Sequence, residues 1–100
     1  MAADQGDAKA QVNLGFMYSK GQDVAQDYSA AVKWLRMAAD QGDAGAQYNL
    51  GIMYKNGKGV PQNTSEALRW LHKAQVKGHD NAKQVMQMIM QKLRETRASQ

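Results

Sequence analysis

Apolar residues in this chain recur at helical spacing, and the pattern then repeats. Periodicity predicts helices from about Asp7 to Lys20, Tyr28 to Gln41, Asp43 to Asn56 and Thr64 to Lys77. Asp7 and Asp43 stand where a short carboxylate can accept from the free amides of a first turn. Asn63, with Glu66 three residues on, has the spacing of a capping box. Gly21 and Gly57 stand where first helices should end, and Gly42 and Gly78 where second helices should. GQDVAQ and GKGVPQ read as the loops between paired helices. The last segment carries one apolar stripe of Ala82, Val85, Met86, Ile89, Met90 and Leu93. One apolar face and one wet face is what a terminal cap of a stacked array requires. Beyond Arg94 the residues are polar, and the end is expected to fray.

Sliding the chain by 36 residues lays Met1 over Met37, with 22 identities in 36 positions. A third unit starts at Lys73, keeps Ala74, Gly78 and Ala82, and then departs. The expected organisation is one domain over 1–100, with repeats at 1–36 and 37–72, a capping helix at 73–95 and a polar tail at 96–100. Small residues (Ala10, Gly15, Ala31 and Ala38, then Ala46, Gly51, Ala67 and Ala74) face bulky ones (Leu14, Met17, Tyr18, Trp34 and Leu35, then Leu50, Met53, Tyr54, Trp70 and Leu71). Large against small is the composition of closely packed helices, so these positions read as core.

Ala44, Ala46, Gln47, Leu50, Gly51, Met53, Tyr54 and Gly57, followed by Gly59-Val60-Pro61-Gln62 and by Ala67, Trp70, Leu71 and Ala74, resemble the Sel1-like repeat, a relative of the tetratricopeptide repeat. The resemblance extends over residues 1–78. It implies an all-α fold, an α-solenoid of antiparallel helix pairs in a right-handed superhelix, with first helices on the concave face. It also implies a scaffold or adaptor that holds a peptide or helix of a partner protein, rather than an enzyme. The first repeat departs at Asp23 and Ala25, which replace Gly59 and Pro61. Asp tolerates the left-handed backbone better than most residues, so the loop is expected to survive.

The two repeats differ in their first helices at Lys9/Gly45, Val12/Tyr48, Phe16/Ile52, Ser19/Lys55 and Lys20/Asn56. At helical spacing these fall within an arc of roughly 100°. The resemblance places that arc in the groove. The candidate partner-binding residues are Lys9, Val12, Asn13, Phe16, Ser19, Tyr48, Asn49, Ile52 and Lys55. Phe16, Tyr48 and Ile52 are of the types that anchor interfaces. In related repeat domains an Asn near Asn49 holds a ligand carboxylate, with Lys9 and Lys55 here as charge partners. For Val12, Phe16, Tyr48 and Ile52, packing between neighbouring helices is an equal alternative.

Composition trims the remaining possibilities. There is no cysteine, which excludes a disulfide framework, a Cys nucleophile and thiolate metal sites. Some cysteine-rich Sel1-like proteins are linked to β-lactam binding or hydrolysis. That alternative lacks both its cysteines and an evident nucleophile here. His72 and His79 share no helix face and have no metal-ligand spacing, so neither a metal nor a cofactor is expected. No phosphate-binding loop occurs. Residues 1–50 carry a net charge of −2 and residues 51–100 a net charge of +6. The basic end offers a weak nucleic-acid alternative, but no aromatics are interleaved for stacking, and a solvated face is the simpler account. No apolar run is long enough to span a bilayer, and the compartment stays open. Met1 to Gln5 resemble the tail of an incomplete helix. A longer array, or a homo-oligomer through that N-terminal face, is therefore expected, since stacked arrays need about three repeats.

Overall fold

The computed structural model describes residues 3–98. Among these are five helices and no strand: α1 Ala8–Lys20, α2 Tyr28–Asp40, α3 Ala44–Asn56, α4 Thr64–Val76 and α5 Asp80–Ala98. Each helix lies chiefly against its neighbours in sequence. The result is an elongated body of 50 × 28 × 16 Å. This is the α-solenoid expected from the repeat.

The helix starts have a common physical cause. Asp7, Asp27, Asp43 and Asn63 accept from the amides of Ala10, Ala30, Ala46 and Glu66 at 3.0, 3.1, 2.9 and 3.0 Å. Each such bond satisfies a first-turn amide that has no partner within its helix. The expected capping box is only half formed. The Glu66 carboxylate turns to Arg69 at 3.1 Å, and the Asn63 amide donates to Tyr54 O instead. α5 is capped by His79, whose Nδ1 accepts from Ala82 N at 3.2 Å. His79 stands one repeat beyond Asp43, so the imidazole does the work of the missing carboxylate.

Helix ends and loops also follow the repeat. Gly21 and Gly57 end α1 and α3 in the left-handed region, at φ 70° and 68°. In the loop between α1 and α2, Asp23 adopts φ 61°, as expected of its position over Gly59. The helix tail expected over Met1 to Gln5 falls partly outside the described residues, at Met1 and Ala2. Gly6 N donates to Ala3 O, the same closure that Gly42 N makes to Ala39 O. Beyond Arg94, α5 continues through Ala98, with Thr96 Oγ1 donating to Lys92 O. Glu95, Arg97 and Ala98 are good helix formers, which lets the helix run on past the apolar stripe.

The core sits along the seam of the helix pairs. A main cluster runs through Ala31, Val32, Leu35 and Ala38 of α2 into Leu50, Met53 and Tyr54 of α3, ending on Ala67 and Trp70 of α4. A second cluster joins Leu71 and Ala74 to Ala82 and Ile89 of α5. Gly51 is required by closeness: a Cβ there would lie 2.8 Å from Leu71 Cγ and 3.2 Å from Ala67 O. Gly15 has the same relation to Leu35, at 2.7 Å.

A repeated glutamine ties each first helix to the segment that precedes it. Gln11 Nε2 donates to Ala3 O and Gln47 Nε2 to Ala39 O, both at 3.2 Å. The Gln11 carbonyl also accepts from Gln41 Nε2 at 2.8 Å. The corresponding Gln47 Oε1 is buried without a partner among the described residues. The residue one repeat beyond Gln41 is Lys77, whose side chain makes no such bond to Gln47.

Candidate interaction surface

The stripe that distinguishes the two repeats lies on α1 and α3, and the structure divides it. Lys9, Asn13 and Phe16 are exposed on α1, with Phe16 38% accessible. Ser19 is half-buried, and its hydroxyl donates to Phe16 O, so it is engaged with its own helix. Asn49 and Lys55 on α3 are half-buried.

The remaining members of the stripe take part in packing. Val12 lies against the main core cluster. Tyr48 and Ile52 lie against the second cluster, beneath α5. The Tyr48 ring stacks on His79 at 4.4 Å between centroids and 17° between planes. One imidazole therefore caps α5 and also fastens it to α3. Laying His79 over Asp43 in the 36-residue register marks this role in the sequence, although histidine is an uncommon cap.

Elsewhere in the solenoid, cations lie over rings. Arg36 lies over Tyr54 at 5.7 Å and donates to its hydroxyl. Arg69 and Lys73 lie over Trp70 at 4.8 and 4.9 Å. Lys58, in the loop between α3 and α4, reaches Tyr28 at 5.2 Å and so joins the two repeats. The Arg69 guanidinium beside Glu66 holds that carboxyl below its ordinary value, mainly through the hydrogen bond and against a smaller cost of burial. No group of three or more metal-ligating side chains occurs among the described residues. No described helix is long and apolar enough to cross a membrane.

Comparison with known proteins gives this geometry a family. A Sel1 repeat protein from Oxalobacter formigenes is similar over 82% of this chain and 34% of its own, with 39% identity and a TM-score of 0.80. The protective antigen c5321 of uropathogenic Escherichia coli, described as displaying an SLR fold, is similar over 85% of this chain and 18% of its own. Its identity is 42% and its TM-score 0.83. Cysteine rich protein B of Helicobacter pylori is similar over 78% of this chain and 59% of its own, with 27% identity and a TM-score of 0.75. The chain thus spans about a third of the first of these proteins and less than a fifth of the second. No match was found among curated proteins. Proteins built from such repeats are generally protein-interaction modules, and the fold is typically a non-catalytic scaffold. The Sel1 repeat profile matches residues 8–43 and 44–74, each match opening with a first helix, and the chain belongs to the Sel1-repeat family.

Proposed function

We propose that this chain is a scaffold segment that holds a peptide or helix of a partner protein along the exposed part of α1 and α3. The observation that carries this reading is Phe16. It stands open beside Lys9 and Asn13, on the arc where the repeats differ, while the neighbouring Gln11, Leu14 and Gly15 are identical to Gln47, Leu50 and Gly51. A surface with no packing duty is free to be shaped by a ligand. Lys55 extends the same arc onto α3, with Asn49, the counterpart of Asn13, at its border.

Site-specific photo-crosslinking tests it. A benzoylphenylalanine in place of Phe16, introduced in the native host, should capture one defined protein. The same group at Lys33, an exposed position on α2, should not. The Phe16→Ala variant should weaken binding of the captured protein by about tenfold with unchanged unfolding, the scale of an interface anchor. Equal capture at both positions would remove the reading.

A further inference from the structure

The second repeat closes over the first in a way that α5 does not copy. After α3 ends at Asn56, its loop folds Gly59 onto the start of α2. A Cβ on Gly59 would lie 2.4 Å from Tyr28 O and 2.9 Å from Val32 Cγ2, and Val60 packs against the main core. One repeat later the same positions are Glu95 and Thr96, which are helical because α5 runs on through Ala98. The start of α4 at Thr64, the counterpart of Tyr28, therefore has no loop folded over it. A groove of about 500 Å³ opens there, with Lys55 and Thr64 on one wall and Met88, Ile89, Lys92 and Leu93 on the other.

The groove has a definite chemistry. Ile89 forms a buried floor, whereas Met88 and Leu93 beside it are 63% and 45% exposed. Two lysines border it, and among the described residues no carboxylate lines it. The surrounding half of the chain, residues 51–100, carries +6. An aliphatic side chain would cover exposed apolar surface here, and a carboxylate would meet two cations across a partly desolvated rim.

We propose that this groove binds an extended segment of a partner protein in which aliphatic residues alternate with Asp or Glu. The aliphatic side chains would rest on Met88, Ile89 and Leu93, with the side-chain carboxylates facing Lys55 and Lys92. The segment would occupy the space that Gly59 and Val60 fill in the preceding unit. This rests on the chain being a protein-binding module, but it uses a wall that the Phe16 surface does not contribute.

Fluorescence anisotropy with short labelled peptides tests it. The probes are a Leu-Asp-Leu-Glu core in Gly/Ser spacers, its Leu-Lys-Leu-Lys counterpart, and the acidic core with Ala in place of Leu. The acidic aliphatic peptide should bind at least about tenfold more tightly than either control, and more weakly as salt rises. Leu93→Ser, at an exposed position that leaves the core intact, should lower its affinity by about fivefold or more. Lys55→Glu combined with Lys92→Glu should reverse the preference toward the lysine peptide. Phe16→Ala should leave this binding unchanged, which separates the groove from the Phe16 surface if either fails. Circular dichroism confirms that each variant is folded. Equal binding of the three peptides, indifference to the charge reversal, or equally effective competition by a single-stranded oligonucleotide would each overturn the proposal. So would a concentration-dependent mass showing the groove filled by a second copy.

Discussion

Leu14 and Leu50 occupy one place in two copies of the same motif, yet Leu50 is fully buried and Leu14 only half-buried. Met17 and Met53, Tyr18 and Tyr54, and Ala10 and Ala46 differ in the same direction. The residues are identical, so composition does not explain the difference. Their neighbours do: α3 is flanked by helices on both sides, while α1 is covered by a described helix on one side only. In a stacked array, burial depends on the position of a unit as much as on the sequence within it. The tryptophans illustrate a different cause. Trp70 is shielded by Arg69 and Lys73, whereas the residues around Trp34 at those positions are Lys33 and Met37.

The comparison can be tested at its largest expected effect. Leu50→Ala should cost about 4 kcal/mol, since the site is enclosed and cannot collapse, whereas Leu14→Ala should cost about 1–2 kcal/mol. Denaturant unfolding of the two variants checks this, and equal losses would break the argument from neighbours. Gly51→Ala and Gly15→Ala should both destabilise, by about 1–3 kcal/mol, because each drives a methyl group into a leucine of the paired helix. Here the two repeats should agree, since this contact lies within a unit and not between units.

Smaller effects sharpen the comparison. Lys77→Gln should stabilise by about 1 kcal/mol, giving the buried Gln47 carbonyl the amide that Gln41 gives Gln11. No gain in the unfolding midpoint would mean that the paired amide has little value at this site. The smallest effect is at Glu66. Its carboxyl is held below the ordinary value when folded, so its contribution is complete above the ordinary carboxylate range and lost as pH falls through the lowered value. The pair is largely solvated, so the loss should be at most about 0.5 kcal/mol. Glu66→Gln should remove it, flattening that part of the pH–stability profile.

Much of this was legible in the 36-residue register. Helix positions, caps at Asp7 and Asp43, closing glycines and small-against-large packing all depend on local chemistry that the repeat displays twice. What was less legible depends on contacts that occur once. The varying stripe mixes two kinds of position. Phe16 varies because solvent is its neighbour, whereas Tyr48 varies because its neighbour is His79, in the degenerate third unit. Comparing two copies reveals variation but not which neighbour permits it. The groove beside α5 was equally hidden, since it follows from a helix that continues where its predecessors turn.

The pairing of each helix mainly with its sequence neighbours also governs how the molecule comes apart. With few contacts between distant parts of the chain, opening one end need not disturb the other. α5 is held by α4 and by the Tyr48–His79 stack, with half of its length over open solvent. Amide exchange should therefore be slowest across α2, α3 and the first half of α4 and fastest toward Ala98. α5 would then separate as its own cooperative unit, well before the interior melts.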